Sequence, residues 1–135
     1  MALKHDGYVF SRDKSLLSLD RVADLLARTY WAGNRGRDKI LTSIDNSLCF
    51  GIYKDGHQVG FARAVTDYAT VWWLADVVID EAHRGKGLAK ILIRYVTETE
   101  ELRGVRGILI TRDAHGLYEH FGFARDGQMF MMKNG

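Results

Sequence analysis

Residues 70–102 hold the pattern that most restricts how this chain can fold. The stretch TVWWLADVVID (70–80) is aromatic, β-branched and almost continuously apolar, which is typical of a strand buried on both faces at the centre of a sheet. Two glycines, Gly85 and Gly87, follow it. Apolar residues then recur at a spacing that predicts an amphipathic helix of about four turns: Leu88, Ile91, Leu92, Tyr95, Val96 and Leu102. A buried strand, a glycine turn and a long helix must therefore follow one another directly.

The N-terminal third predicts one strand and two helices. GYVFSR (7–12) is typical of a short edge strand. Ser18 can cap a helix whose apolar positions recur at three and four residues and which is expected to end near Ala32-Gly33. A loop rich in glycine and basic residues then leads into a second short helix, predicted around residues 38–46.

Strand signals dominate most of the remaining sequence. SLCFGIYK (47–54) and QVGFARAVT (58–66) flank Asp55-Gly56, a dipeptide that favours the tight turn of a β-hairpin. Further along, the sequence predicts a strand, a short helix closed by Gly122, and a last strand, at GVRGILIT (104–111), AHGLYEHFG (114–122) and QMFMMK (128–133). This order of elements predicts a mixed α+β fold with a strand–helix–strand crossover at its centre, in a single domain covering residues 1–135.

Charge and composition exclude several classes of partner. Nineteen Lys and Arg residues are set against 17 Asp and Glu, and they are scattered, so we expect no nucleic-acid or anionic-membrane surface. No apolar run approaches the roughly 18 residues of a membrane helix, and the N-terminus lacks a signal-peptide core, so we expect a cytoplasmic protein. The single cysteine, Cys49, rules out an internal disulfide and is interpreted as a small buried hydrophobe in preference to a nucleophile.

Asp80-Glu81-Ala82-His83 spells the DEAH tetrapeptide of a class of helicases. That motif works beside a phosphate-binding loop in which a Gly-Lys pair is followed by Ser or Thr. Here Gly85-Lys86 is followed by Gly87, and no other Gly-Lys pair occurs in the chain. DEAH is therefore interpreted as a chance tetrapeptide.

The glycine turn that follows DEAH could bind an anion. Glycines let the backbone approach a ligand closely, and the first free N–H groups of a helix point at anions, so this turn could hold a pyrophosphate. Lys86 and Lys90 could add positive charge. The alternative is that the two glycines serve only to turn the chain.

Two separated motifs resemble the GNAT superfamily of N-acetyltransferases. Arg84, Gly87 and Ala89 occupy the defining positions of the R/Q-x-x-G-x-G/A signature. Downstream, AHGLYEHFGF (114–123) resembles the A-x-x-F/L-Y-x-K-x-G-F segment, with His120 where Lys is common. A further departure is Thr111, where many members have an Asn that contacts the pantetheine arm. The resemblance covers residues 45–133 well and the N-terminal third by element order only.

The resemblance implies the GNAT-type acyl-CoA N-acyltransferase fold, a central mixed sheet splayed at the cofactor site and flanked by helices. Acetyl-CoA would be the donor substrate, with no metal. Its pantetheine arm would pair with backbone groups of Val77, Val78 and Ile79. The turn and the helix start would hold its pyrophosphate, through Arg84, Gly85, Lys86, Gly87, Leu88, Ala89 and Lys90.

The same resemblance assigns catalytic roles. The amide of Val77 would stabilise the tetrahedral oxyanion, and Tyr118 would protonate the departing thiolate. A tyrosine packed at a helix end without a catalytic role is the alternative for Tyr118. Asp76 lies inside the predicted central strand and is a candidate for the base that accepts the amine proton, but a structural acceptor at a strand bulge is equally compatible, with a water chain as the base.

The acceptor cannot be chosen from the sequence. The predicted activity is direct transfer of an acetyl group to a primary amine in a ternary complex, and the alternative is a non-catalytic module that binds CoA thioesters. Trp72, Trp73 and Tyr68 could line an acceptor pocket, although core packing is the simpler interpretation. The basic loop of Arg35, Arg37 and Lys39 could bind an acidic acceptor or the CoA 3′-phosphate, or be merely solvated. Family membership would also suggest a homodimer.

Overall fold

The computed structural model describes residues 2–135, and its central feature is a six-stranded sheet in which strand order follows chain order. All neighbouring strands are antiparallel except the last two, which are parallel, so the sheet is mixed as predicted. The strands are β1 (Leu3–His5), β2 (Tyr8–Ser11), β3 (Leu48–Lys54), β4 (His57–Thr66), β5 (Val71–Ile79) and β6 (Arg106–Ile108).

Four α-helices flank this sheet. They are α1 (Leu19–Ala27), α2 (Arg37–Asp45), α3 (Leu88–Thr97) and α4 (His115–Glu119), with short 3-10 turns at Lys14–Leu16, Glu81–His83 and Glu100–Leu102. Ser18 caps α1 as predicted, since its Oγ accepts a hydrogen bond of 3.2 Å from the Arg21 amide. No helix within residues 2–135 is long and apolar enough to cross a membrane.

Each face of the sheet carries its own apolar cluster. The α3 cluster consists of Tyr8, Phe10, Phe50, Ile52, Val59, Ala62, Ala64, Trp72, Leu74, Leu88, Leu92, Ile93, Val96 and Leu102. The α1–α2 cluster consists of Val22, Leu25, Leu26, Ala32, Ile40, Ile44, Cys49, Phe61 and Val78. Because Cys49 and Phe50 are neighbours on β3 but belong to different clusters, the two clusters lie on opposite faces of the sheet.

The β3–β4 hairpin confirms the turn prediction. Asp55 and Gly56 have φ values of 50° and 80°, so both central residues lie in the left-handed region. Two-residue turns need this conformation to match the right-handed twist of the strands, and Asp-Gly adopts it at low cost. The local sequence was therefore sufficient to place this hairpin.

Two N-terminal predictions are wrong in detail. GYVFSR forms a strand, but β1 pairs with it through Leu3 opposite Phe10, so β2 is not the sheet edge. Helix α1 ends at Ala27 and not near residues 32–33. Thr29 explains the early end, because its hydroxyl donates to the Leu26 carbonyl at 2.7 Å and accepts from the Ala32 amide at 3.1 Å. These bonds compete with continuation of the helix.

The C-terminal predictions are also only partly met. Helix α3 stops at Thr97, and Leu102 is buried from a separate 3-10 turn. The predicted strand at 104–111 is reduced to β6, and β5 is the fifth strand of six instead of the centre. Residues 128–133 form no strand, with Met129 and Met131 82% and 94% exposed. An apolar run becomes a strand only where a neighbour offers backbone hydrogen bonds, and β6 already ends at Ile108.

Gly107 is expected to be intolerant of a side chain. On β6 it lies opposite Trp72, whose indole Nε1 donates to the Val105 carbonyl at 3.1 Å, and a Cβ on Gly107 would lie 2.6 Å from that ring. Gly107→Val should lower the free energy of unfolding by about 2–3 kcal/mol, since Trp72 must move out of its packed position. Urea unfolding would measure this.

The matched control is Gly127→Val. Gly127 has open space around its Cβ position, so the change there should stay within about 0.5 kcal/mol. Equal urea midpoints for the two variants would contradict the role assigned to Gly107.

Candidate active site

Strands β5 and β6 separate soon after they pair. Their register contains three positions, Val71 with Arg106, Trp72 with Gly107 and Trp73 with Ile108. Beyond Trp73, β5 continues to Ile79 with only β4 beside it in the described sheet. The backbone edge of Val77–Ile79 that faces away from β4 is therefore not paired with a strand. This is the splayed arrangement that was predicted for the cofactor site.

A bulge interrupts β5 at the same place. Phe61 on β4 lies opposite Val78 and Arg63 lies opposite Ala75, so two residues of β5, Asp76 and Val77, share the space facing a single residue of β4. Asp76 has a φ of 56°, a left-handed conformation that Asp adopts more readily than most residues. Such a bulge redirects the backbone and the side chains that follow it.

The bulge changes which face of the sheet each side chain occupies. Before it, Trp72 and Leu74 pack into the α3 cluster; after it, Val77 packs against that cluster and Val78 enters the α1–α2 cluster. Simple alternation from Leu74 would have placed the Asp76 carboxylate in the apolar α3 cluster. Instead it faces the loop between α1 and α2.

Three donors surround the Asp76 carboxylate, whose side chain is 2% exposed. Trp31 Nε1 donates to Oδ1 at 3.0 Å, while Arg35 Nη1 and Arg63 Nε donate to Oδ2 at 2.7 Å and 2.9 Å. Burial alone would raise the pKa of Asp76, but the hydrogen bond from Arg35 and the charge and hydrogen bond of Arg63 outweigh it and hold that pKa below its usual value. An ionised carboxylate with three protein donors is a weak base, so these contacts favour the structural interpretation of Asp76.

Asp76→Asn is expected to lower the free energy of unfolding by about 3 kcal/mol at pH 7, because Arg35 and Arg63 lose a buried counter-charge. The folded pKa of Asp76 is depressed, so its contribution is fully present above the unfolded pKa of about 3.9 and is lost as the pH falls through the folded pKa. The difference between wild type and variant should therefore be constant from pH 7 to 5 and shrink below about pH 4. Urea unfolding across this range tests it, and an equal difference at pH 3 and pH 7 would contradict it.

The glycine turn presents free amides to open space. Gly85 and Gly87 have φ values of 78° and 75°, and a Cβ on either would meet no heavy atom within 4 Å. Gly87 begins α3 without a side-chain cap, so no capping side chain covers the first amides of the helix. Leu88 is buried, which leaves only its backbone for a ligand, whereas Lys86 and Lys90 are exposed. This geometry suits an anion.

The DEAH segment anchors the turn to the rest of the fold. Asp80 accepts from the Ala82 amide at 3.0 Å and from Arg21 of α1 at 2.8 Å. His83 Nδ1 lies 2.8 Å from the Tyr8 hydroxyl on β2. Arg84 donates through Nε to the Ile79 carbonyl at 3.1 Å. These contacts position the end of β5, a role that the sequence did not reveal because Arg21 and Tyr8, the partners of Asp80 and His83 in other elements, are distant in the chain.

Tyr118 lies on α4, half-buried, and packs against the α3 cluster that Val77 also contacts. Within residues 2–135 its hydroxyl makes no hydrogen bond. Burial, with the neighbouring Tyr30 and Asp113, raises the pKa of Tyr118 to about 12, so the phenol stays protonated at neutral pH and can act as a proton donor. Thr111 accepts from the Ala114 amide at 3.0 Å and so helps to start α4.

A cavity of about 920 Å³ adjoins Tyr118 and is bordered by β6, α4 and the C-terminal segment. Trp72 borders it, but Trp73 packs near Phe130 and Tyr68 lies exposed in the β4–β5 loop. Of the three aromatic residues predicted as candidates for an acceptor pocket, Trp72 alone borders this cavity, and it is itself a buried core residue. The cavity does not reach the glycine turn.

Sequence inspection missed Tyr30, Trp31 and Arg112. Tyr30 and Trp31 follow the end of α1 and are 55% and 43% exposed, and the Arg112 guanidinium lies 3.8 Å from the Tyr30 ring centroid. The spacing of Tyr30 predicts a place on the first helix, but α1 ends at Ala27. The available signal was an adjacent Tyr-Trp pair directly before a segment rich in glycine and basic residues.

The basic loop and Cys49, the two remaining candidates for a functional role, have structural explanations. Arg35 pairs with Asp76, and Arg37 pairs with Asp20 at 2.7 Å, so neither arginine of the basic loop is without a counter-charge. Burial raises the pKa of the Cys49 thiol to about 11, which agrees with the buried-hydrophobe interpretation. Within residues 2–135, no group of three or more His, Cys, Asp or Glu residues could hold a metal ion.

The chain is similar to known acetyltransferases in both sequence and structure. Residues 19–123 match the Acetyltransferase (GNAT) family. The solved structure of a GNAT-family protein (xcc2953) from Xanthomonas campestris pv. campestris has a TM-score of 0.90 and 39% identity, covering 98% of this chain and 95% of that chain. The uncharacterized N-acetyltransferase ycf52 of Gracilaria tenuistipitata var. liui is 30% identical over 87% of this chain and 66% of its own length. GCN5-related N-acetyltransferase 1, chloroplastic, of Arabidopsis thaliana is 28% identical, over 97% and 71%.

Proposed function

The chain belongs to the acetyltransferase (GNAT) family, and we propose that it transfers an acetyl group from acetyl-CoA directly to a primary amine within a ternary complex. The observation that carries this proposal is the separation of β5 from β6 immediately before an uncapped helix start. Together these features offer a free strand edge and an anion site in one continuous segment.

The donor would lie along that segment. The amides at the start of α3 suit the pyrophosphate, because they lack a side-chain cap and face open space above Gly85 and Gly87. The free edge of Val77–Ile79 suits the amide groups of the pantetheine arm, which would bind as an added strand does. Most of these contacts are to the backbone.

The transfer step then uses two groups of this chain. The neutral amine attacks the thioester carbonyl, a C–N bond forms, and the Val77 amide donates to the oxyanion. The intermediate collapses with cleavage of the C–S bond, and Tyr118 gives its proton to the leaving thiolate. The extra proton of the amine passes to water. We do not assign that proton to Asp76, because Arg35, Arg63 and Trp31 already bind its carboxylate.

A thiol-release assay tests the proposal. Purified protein would be supplied with acetyl-CoA and a panel of amino acids, polyamines, aminoglycosides and short peptides, and free CoA would be measured with a thiol reagent. Mass spectrometry would identify the acetylated amine, and Tyr118→Phe would be the catalytic control. Saturable acetyl-CoA binding without CoA release from any amine would overturn the proposal and favour a CoA-thioester binding module.

A further inference from the structure

The α1–α2 loop, defined here as residues 28–36, is attached by side chains at two places. Trp31 and Arg35 donate to Asp76 on β5. Tyr30 stacks against Arg112, which precedes α4. The loop therefore connects β5 with the segment that leads to Tyr118, across the side of the fold where β5 and β6 separate.

The other contacts of this loop are backbone turns, the two hydrogen bonds of the Thr29 hydroxyl and the burial of Ala32 in the α1–α2 cluster. Its backbone bonds include Arg35 N to the Ala32 carbonyl at 3.1 Å and Thr29 N to the Leu26 carbonyl at 3.0 Å, which form turns and no regular structure. Yet Tyr30 and Trp31 keep a defined T-shaped contact with ring centroids 5.0 Å apart while remaining about half exposed. Ordered, exposed aromatic rings on a loop are well suited to contact a ligand.

We propose that Asp76 is a positioning residue: its carboxylate anchors the α1–α2 loop so that Tyr30 and Trp31 form one wall of the acceptor pocket, on the side where Tyr30 contacts Arg112 before α4. This inference rests on the proposed function, because it concerns the acceptor side of the same site. The anchor is strong for a physical reason. The carboxylate is almost completely buried, and its two arginine partners, Arg35 and Arg63, are 20% and 13% exposed, so solvent screens these pairs only weakly.

Arg35 supports a positioning role over direct acceptor recognition, because its guanidinium is bound to the buried Asp76 carboxylate. Arg37, the first residue of α2, pairs with Asp20 at the surface. A cavity of about 430 Å³ is lined by residues 29–35 and Lys39, and its aromatic members are Tyr30 and Trp31. Loss of the Asp76 charge would free the loop without removing any group that we place in contact with the donor.

Limited proteolysis tests the anchor without knowledge of the acceptor. Trypsin can cleave after Arg28, Arg35, Arg37 and Lys39, all in or next to the loop. Asp76→Asn keeps a residue that tolerates the left-handed backbone but removes the charge. Cleavage within residues 28–39 should become about tenfold faster, because the loop opens locally.

Two variants serve as matched controls. Asp80→Asn removes the carboxylate that directly follows β5 and its contact with Arg21, which is not a loop residue, and loop cleavage should stay at the wild-type rate. Leu92→Ala removes a fully buried side chain and reports the cleavage that follows from global destabilisation alone. Loop cleavage in Asp76→Asn no faster than in Leu92→Ala would overturn the proposal.

Kinetics provide the second readout, with the panel amine that gives the highest rate. Asp76→Asn should raise the KM for that amine about tenfold, leave the KM for acetyl-CoA unchanged, and keep the shape of the pH dependence of kcat/KM. Loss of the acidic limb of that profile would make Asp76 the base and overturn the positioning role. If no amine is acetylated, the proposed function fails, and the proteolysis result alone decides whether Asp76 anchors the loop.

Discussion

Replacing Tyr118 by phenylalanine is expected to lower kcat for acetyl transfer by about 100-fold and to leave the affinity for acetyl-CoA nearly unchanged. The variant keeps the ring that packs against the α3 cluster and near Phe123, and it removes only the hydroxyl. Because that hydroxyl makes no hydrogen bond within residues 2–135, its loss should cost little stability. The expected defect is therefore confined to protonation of the leaving thiolate.

The pKa of Tyr118 sharpens this prediction. With a pKa of about 12, the phenol remains protonated well above neutral pH. Deprotonation of Tyr118 should therefore not reduce wild-type kcat below about pH 10. Steady-state thiol release between pH 6 and pH 10 would measure this, together with a direct titration of acetyl-CoA binding to wild type and variant.

Tyr53→Phe is the matched control. Among residues 2–135 the buried Tyr53 hydroxyl has no hydrogen-bond partner, and it lies on β3, away from α4, so its removal should leave kcat unchanged and stability equal or slightly higher. If Tyr118→Phe turns over as fast as Tyr53→Phe, Tyr118 is a packing residue and the assignment of the acid is wrong.

Replacing Gly87 by valine is expected to weaken acetyl-CoA binding by about 100-fold, or roughly 2.7 kcal/mol. Gly87 has a φ of 75°, a conformation that β-branched residues adopt only with strain. The new side chain would also project into the open space at the start of α3, where the free amides lie. Isothermal titration with acetyl-CoA would measure the loss.

Gly56→Val separates backbone strain from loss of the anion site. Gly56 has a similar φ of 80° and open space around it, but it lies in the β3–β4 turn. This variant should lose stability in urea unfolding and keep wild-type affinity for acetyl-CoA.

Lys90→Ala should reduce the affinity for acetyl-CoA far less than Gly87→Val, since the proposed contacts are to the backbone. Wild-type binding by Gly87→Val would contradict the donor site.

Local sequence was sufficient where a few adjacent residues decide the conformation. Asp55-Gly56 specifies a turn that needs two left-handed residues, and Ser18 specifies a helix start through its own side chain. Gly85 and Gly87 likewise gave the turn before α3. In each case the residues of one short segment determine which backbone conformation has the lowest free energy. The structure confirms these predictions.

Prediction failed where hydrogen bonds compete or where a separate strand must pair. The partners of the Thr29 hydroxyl, Leu26 and Ala32, are close in the chain, but the spacing of apolar residues does not show that these bonds replace the helical ones. No local pattern showed that β1 would cover β2. The C-terminal apolar run has strand-like composition, but composition cannot supply a neighbouring strand. These errors share one cause, because hydrogen-bond competition and strand pairing depend on which groups meet in the folded chain.

Asp76 shows the division between sequence and tertiary structure most clearly. The sequence by itself determined that a carboxylate interrupts an apolar strand next to a glycine turn, and that such a group must be functional or satisfied. Only the tertiary structure decided that a bulge turns it away from the α3 cluster and towards Trp31, Arg35 and Arg63. These partners come from two separate segments, the α1–α2 loop and β4, so their charge and hydrogen bonds act on Asp76 only after the sheet and the loop have come together.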